Sequence, residues 1–382
     1  MEFPSKEAAS GILSKKSLSL VRERCSEAVS MARPAEVEPE GEAQNAMQAY
    51  IRAQAVSDKS VADCVEALIG TYLLSGGIQG AALFLEWMKI FPPQDDFMSY
   101  LHKPQMTILQ EKKVTEEEIN RLLNHERDSI EKIIDYKFKD PSFLLEALSH
   151  SSYIRNRYTR SYERLEFLGD AIIDFLITAH IYENCGDLKP GELTDLRSSL
   201  VNNVTFASYV VKLGLHKFFC SDLNPTLDGA ILNFVEHQVQ RDHNIEEDVL
   251  YLIDEEDCRV AEYIEVPKVL SDIFESLAGA IYLDSGGNLS TVWRVVYRIM
   301  WREIAVFSQR VPKQPVRVLS ENIYACAVFG EAKETPDSCI PKVMIPVTFS
   351  KDGKRHTTYG VGSNKSQAKR AAAKLALKIL AL

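Results

Sequence analysis

Two pairs of carboxylates are spaced so that each pair shares one side of a helix. In Tyr162-Glu-Arg-Leu-Glu-Phe-Leu-Gly-Asp170, Glu166 and Asp170 are four residues apart and are neighbours on one helical face. Phe167, Leu168, Ala171 and Ile172 crowd around them. Ionised acids on a largely apolar helix are costly to bury unless cations pair with them. Asp272 and Glu275, at i and i+3 within Leu-Ser-Asp-Ile-Phe-Glu-Ser-Leu-Ala-Gly-Ala-Ile, stand in the same setting. Two helices that each turn two acids inward make a cluster of four oxygen ligands. Such a cluster suits Mg²⁺, with Mn²⁺ as its substitute, because Mg²⁺ prefers oxygens, keeps waters and is bound together with substrate phosphate. Metals held in this way orient a water, lower its pKa and neutralise charge on a scissile phosphate.

A single E-x-x-x-D pair is usually an ordinary surface feature, here within reach of Arg164 or Arg197. The glycine beside the acid, the apolar flanks and the second acid pair in an equivalent setting favour the metal. Lys268, four residues before Asp272, can place its ammonium one turn from the acids and contact a phosphate; the alternative is plain solvent exposure. His150 reads as a hydrogen-bonded structural histidine. None of the eight histidines has metal-type spacing, which argues against zinc. The seven cysteines are scattered without a C-x-x-C pair, so reduced thiols in an intracellular protein are the simplest reading.

The elements that must position these groups are mainly helices. The chain has 382 residues with 46% apolar and 26% charged residues, which excludes collagen, a wholly disordered chain and a small disulfide scaffold. No uninterrupted apolar run approaches the roughly 18 residues that span a bilayer, and the start has no signal-type apolar core, so no membrane partner is expected. Residues 1–56 are polar and expected to be disordered. Ser57 reads as an N-cap for a helix ending at Gly76-Gly77, and a second apolar stretch stops at Pro92-Pro93. Residues 94–126 read as a linker with short helices. From 127 to 310 helical periodicity dominates, with Asp140-Pro141 opening one helix, Tyr162 to about Tyr182 forming a long one, and Asn202 and Asn203 capping or bridging others. The segment 242–265, with ten Asp/Glu against Arg259 alone, reads as a solvated, partly helical excursion. After Val311-Pro312 the pattern becomes α-β-β-β-α: a short helix at Pro315, a weak strand at Cys326–Phe329, a hairpin turning at Asp352-Gly353, and an Ala-rich helix to the end.

Charge is divided as sharply as structure. The net charge is −10, yet residues 342–382 hold nine Lys/Arg against Asp352 alone. A basic tail on an acidic body suggests a polyanion-binding module. An internal repeat adds to this: Asp63, Glu66, Leu68, Gly70, Leu74 and Gly77 coincide with Asp272, Glu275, Leu277, Gly279, Leu283 and Gly286 at an offset of 209. Chance explains shared leucines, but not both acids and both glycines. A duplicated domain is the better account.

ERLEFLGD (163–170) resembles the signature motif of the ribonuclease III family, whose downstream D-x-x-E appears in SDIFESLAGAIYLD. ALSHSSY (147–153) is similar to another family segment. VSDKSVADCVEALIG, LTDLRSSLVNN and VPKVLSDIFESLAGAIYLDSG resemble the C-terminal portion of the Dicer group within that family, of an arthropod type serving short interfering RNA production. GVGSNKSQAKRAAAKLALKIL resembles the C-terminal half of a double-stranded RNA-binding domain, which reads A-form shape through phosphates and 2′-hydroxyls. There Lys365, Lys369 and Arg370 fall in the first turns of a helix, and the Ala run 371–373 permits close packing on the hairpin. Ser366 replaces the second lysine of the usual pair, and no Gly-Pro-x-His loop precedes Lys342.

The resemblance implies a mainly α fold: the C-terminal part of a first ribonuclease III domain at 57–93, a complete all-helical second one at 127–310, and a small α+β RNA-binding domain at 311–382. It implies metal-dependent endonucleolytic hydrolysis of duplex RNA in RNA silencing, with products bearing a 5′-phosphate and a short 3′ overhang. Glu166, Asp170, Asp272 and Glu275 fall on the metal-binding catalytic carboxylates, and Lys268 on a lysine that assists at the phosphate. Asp63 and Glu66 fall on half of a first site. Residues 1–62 hold no E-x-x-x-D pair to complete it, which suggests a fragment or a degenerate first domain. Expected partners are double-stranded RNA, a double-stranded RNA-binding protein, and a second ribonuclease III domain paired within or between chains. The expected location is the cytoplasm, with the nucleus as alternative. The competing reading is a non-catalytic duplex-RNA scaffold, which predicts a missing acid in the second site; none is missing.

Overall fold

Polar side chains at the helix starts set the boundaries of the fold. The computed structural model describes residues 57–90, 109, 114–245, 251–252, 259–264, 266–334 and 342–380, in two compact units divided at Pro104. The polar segment 1–56 and most of the expected linker lie outside the described residues.

In the first unit, Ser57 accepts a hydrogen bond from the Ser60 amide and opens α1 (Asp58–Trp87). The helix breaks at Gly77, whose φ of +64° suits glycine, so the expected stop at Gly76-Gly77 is a kink. Beyond it the chain folds back and Phe84 stacks on Tyr72 at 4.4 Å. By length and composition α1 is apolar enough to cross a membrane, which uninterrupted apolar runs do not suggest.

The second unit begins its core earlier than expected. Thr115 and Glu118 form a capping box for α2 (Glu116–Leu122), and Val114, Ile119 and Leu123 join the nuclease core rather than a linker. Next come α3 (Arg127–Ile134) and α4 (Pro141–Leu148), the latter capped by Asp140 through the Ser142 amide at 2.9 Å. The signature segment forms α5 (Glu163–Asn184), followed by α6 (Pro190–Leu200) and α7 (Asn203–Lys212). Asn202 both caps and bridges: its carbonyl oxygen accepts from the Thr205 amide while its amide donates to Ser198 and Ser199 carbonyls at the end of α6. Asn224 caps α8 (Pro225–Gln240).

The acidic excursion is not helical where it is described. It forms β1 (Tyr251–Leu252) antiparallel to β2 (Val260–Tyr263). The alternation of Val-Ala-Glu-Tyr and full burial of Ala261 explain the strand; charge density alone hides both.

The chain then enters α9 (Lys268–Asp284), buried along nearly its whole length, and α10 (Leu289–Gln309). α9 is the axis of the nuclease core. Its Ser276 hydroxyl donates to the Ala147 carbonyl of α4, and Phe274 stacks on Phe206 of α7 at 4.9 Å. At its end, Asp284 accepts from the Tyr136 hydroxyl and from the Lys139 and Asp140 amides, tying down the turn before α4.

The C-terminal module keeps the expected helix–strands–helix order with one short strand more than expected, β4: α11 (Pro315–Glu321), β3 (Val328–Phe329), β4 (Lys333–Glu334), β5 (Val343–Lys351), β6 (Lys354–Gly362) and α12 (Lys365–Leu380). β5 and β6 pair antiparallel around Asp352-Gly353, both at positive φ, and β3 and β4 pair with β5. α12 lies hard on β6: a Cβ on Gly360 would meet the Ala368 carbonyl at 2.0 Å, and Ala371, Ala372 and Ala373 are fully buried.

Candidate active site

The site is made by two helices whose backbones touch. A Cβ on Gly169 would lie 1.8 Å from the Glu275 carbonyl oxygen, and one on Gly279 would lie 2.3 Å from that of Leu165. Glycine at both positions therefore lets α5 and α9 cross closely enough for their acids to face each other. One carboxylate oxygen from each of Glu166, Asp272 and Glu275 lies within 4.8 Å of the other two. Asp272 and Glu275 are buried and Glu166 is half-buried.

Asp170 stands outside that trio, exposed on the next turn of α5, but its charge is felt by Glu275. Burial, with Asp170, Asp272 and Glu166 nearby, pushes the Glu275 carboxyl up to about 8. Burial also raises Asp170, with Asp174 and Glu166 adding to the effect. Asp272 is raised by burial, against the lowering effects of the Tyr162 hydroxyl and Lys268. This is a set of acids that a cation would relieve, and its donors are all oxygen, as Mg²⁺ or Mn²⁺ requires.

Lys268 is not solvated apart from the site. Its ammonium lies 2.9 Å from Glu166 and 3.2 Å from Asp272, and these partners, chiefly the hydrogen bond to Glu166, hold its pKa above the ordinary lysine value. Of the two arginines that sequence places within reach of the signature acids, Arg197 pairs instead with Asp174 at 3.6 Å, and Arg164 is exposed and makes no ion pair with Glu166 or Asp170 among the described residues. Tyr162, directly before the signature, donates its hydroxyl to Asp272 at 2.9 Å from a buried position. Sequence reading passes over it, because only the crossing of α5 with α9 brings it to a residue 110 positions away. His150 is structural as expected, its Nδ1 hydrogen-bonded with the Ser152 hydroxyl at 2.8 Å and with the Ser152 amide.

Asp63 and Glu66 are exposed on α1, and Asp63 pairs with Lys59 at 2.8 Å. That pair repeats Lys268–Asp272 at the same offset, and Gly77 repeats the positive φ of Gly286. Gly70, the counterpart of Gly279, meets nothing within 4 Å among the described residues.

In the C-terminal module Lys365 and Arg370 are exposed, while the Lys369 ammonium lies 4.6 Å from the centre of the Phe329 ring. The three do not form one uniform patch: Lys369 is positioned by the sheet, and its neighbours are open to solvent. Asn364 caps the helix through the Gln367 amide, and the Gln367 side chain accepts from the Ser363 amide.

Comparison with known proteins agrees with this architecture. A ribonuclease III domain matches residues 163–286, and a Dicer double-stranded RNA-binding domain matches residues 292–382. The chain is 43% identical over 350 residues to Endoribonuclease Dcr-1 of Drosophila melanogaster, covering 85% of this chain and 15% of that protein. It is 44% identical over 335 residues to Endoribonuclease Dicer of Danio rerio, covering 86% and 18%. The similarity thus runs as strongly to a vertebrate as to an arthropod. Among solved structures, the nuclease domain of Campylobacter jejuni ribonuclease III matches at 25% identity and a TM-score of 0.30, covering 47% of this chain and 96% of that one. The chain spans less than a fifth of the length of these two Dicer relatives. With a ribonuclease III domain built around the Gly169–Gly279 crossing and a Dicer-type RNA-binding domain behind it, the chain belongs to the Dicer group of the ribonuclease III family.

Proposed function

We propose that this chain hydrolyses phosphodiester bonds of double-stranded RNA in small-RNA production. The observation that carries this reading is the gathering of Glu166, Asp272 and Glu275 oxygens within 4.8 Å, two of these residues being buried, beside the Lys268 ammonium. These three, with Asp170, would hold Mg²⁺ or Mn²⁺, which supplies an activated water and offsets charge on the phosphate. The chain's own groups do the rest. Tyr162 fixes the Asp272 carboxylate, and Lys268 supplies a cation within reach of the phosphate. Lys365, Lys369 and Arg370 hold the duplex backbone. Water adds to phosphorus, the bond to the 3′ oxygen breaks, and the products are a 5′-phosphate and a 3′-hydroxyl.

Asp63 and Glu66 do not by themselves make a second centre. If the first unit pairs with the nuclease domain within one chain, the product is a nick on one strand; intramolecular pairing is favoured by its higher effective concentration. A cytoplasmic location and a double-stranded RNA-binding protein partner fit this reading.

The test is Glu275→Gln. Removing one ligand at nearly constant volume should abolish cleavage while duplex binding stays within about twofold, because phosphate contacts lie elsewhere. Cleavage at an unchanged rate would refute the assignment. The scaffold reading is favoured instead if the wild-type chain binds duplex RNA but fails to cut it with every divalent cation tested.

A further inference from the structure

The sheet of the RNA-binding domain contains a strand that this domain does not encode. β2, from within the stretch matched by the ribonuclease III domain, pairs parallel with β6, placing Val260, Ala261 and Glu262 opposite Tyr359, Gly360 and Val361. The Tyr359 amide donates to the Arg259 carbonyl at 2.7 Å. Tyr359 pairs with Pro346 of β5 on its other side, but the Pro346 carbonyl is turned away to accept from the Gly330 amide, so the Tyr359 amide points to β2 and finds its acceptor there. Ala261 is fully buried in a small cluster with Ala371 and Leu375 of α12, with Tyr263 packed against it. Glu262 forms an ion pair with Lys342 at the start of β5.

One residue further on, the chain changes allegiance. Ile264 and Val266 pack against the nuclease core, and α9 begins at Lys268. Four residues therefore separate the RNA-binding sheet from the helix that carries Lys268, Asp272 and Glu275. A second link lies elsewhere on the same two domains, where Arg317 of α11 contacts Asp195 of α6 at 2.9 Å.

We propose that residues 259–264 are a strand latch that clamps the RNA-binding domain to the entry of the catalytic helix, so that both domains meet a duplex as one body. A strand this short is marginal alone and is held by attachment at both ends. With the latch closed, a duplex held by Lys365 and Arg370 is presented to the carboxylates at a fixed offset. Opened, it frees the edge of β6 and lets the domain pivot on the Arg317 contact. The consequence for cleavage rests on the proposed function; the latch itself does not.

Amide hydrogen exchange on the full chain reads the latch directly. Ala261→Arg puts a charge into the buried cluster and should speed exchange at Tyr359 by about tenfold or more, leaving Thr358, turned toward Val347, unchanged. An unchanged Tyr359 rate overturns the proposal. Should the arginine loosen Thr358 as well, a Glu262→Cys/Lys342→Cys pair, treated with a bifunctional maleimide long enough to reach across β6, which lies between them, decides: rapid cross-linking supports the latch, and no cross-link overturns it. On duplex RNA, the opened variant should cut over a wider spread of positions. A single sharp position from a chain whose Tyr359 has opened overturns the coupling. If the wild-type chain cuts nothing, the proposed function fails, and the exchange result stands by itself.

Discussion

Replacing Gly169 by alanine tests whether the crossing of α5 and α9 is what makes the site. The new Cβ would sit 1.8 Å from the Glu275 carbonyl oxygen and 2.9 Å from the Gly279 nitrogen. Ordinary contact needs about 3.5 Å, so the helices must part by roughly 1.7 Å. Both obstructing atoms are backbone, and no rotamer change relieves them. Overpacking of this kind costs about 1–3 kcal/mol, and in a domain of this size 1 kcal/mol lowers Tm by about 2–4 °C. A fall of roughly 2–12 °C is expected. Parting the helices also carries Glu275 away from Glu166. The rise in Tm expected of the wild type with Mg²⁺ or Mn²⁺ should therefore shrink or vanish in the variant. Gly279→Ala should behave alike, since its Cβ meets the Leu165 carbonyl at 2.3 Å. Gly70→Ala is the control: its surroundings are open among the described residues, and helix propensity favours alanine by about 1 kcal/mol. Differential scanning fluorimetry with and without cation checks all three. A Gly169→Ala chain that keeps both its Tm and its cation response would refute the reasoning.

Tyr162→Phe removes the hydroxyl that Asp272 accepts and should weaken cation binding about tenfold or more, measured by calorimetric titration; hydrogen bonds to charged groups are worth roughly 1.5–3 kcal/mol. Glu275 is held at about 8 and so stays protonated in the fold where the unfolded chain has ionised it. Its contribution therefore favours the fold at low pH and is lost progressively as pH rises from the ordinary glutamate range toward 8. A cation bound near pH 7 should displace that proton; equal heats in buffers of different ionisation enthalpy would mean that no proton leaves. Lys365→Ala with Lys369→Ala should weaken all duplex sequences alike and flatten the salt dependence, by about 0.9 in log–log slope per lost contact on the B-DNA scale. An unchanged slope would show that neither lysine touches the backbone.

The carboxylate pairs, the helix caps and the β5–β6 hairpin are legible in the sequence because each is local. Spacing of three or four residues, an Asn or Asp before a helix, and an Asp-Gly turn carry their geometry with them. What is not legible needs a partner from far along the chain. Val-Ala-Glu-Tyr within a run of acids reads as solvated until β6, about a hundred residues later, buries Ala261. Glu116–Leu122 reads as linker because its charges outnumber Ile119 and Leu122, yet Ile119 is fully buried in the nuclease core. Asp170 matches Glu166 in spacing but not in placement: of the two, only Glu166 joins the close trio.

The internal repeat separates what a local sequence determines from what tertiary packing adds. Lys59 and Asp63 close the same one-turn pair as Lys268 and Asp272, at 2.8 and 3.2 Å. In the first copy the pair is a surface contact, with side chains 81% and 56% exposed, and exposed pairs of this kind add little to stability. In the second copy the Asp272 side chain is 6% exposed and accepts a tyrosine hydroxyl, with two further acids close by. The residues are alike; among the described residues, the difference is a second helix brought into backbone contact at Gly279, with Gly169 as its counterpart. Lys-x-x-x-Asp-x-x-Glu on a helix is therefore half of a site. The other half is a helix carrying Glu-x-x-Gly-Asp, whose glycine lets the first pair be buried against it, and burial is what converts ordinary acids into ligands in need of a cation.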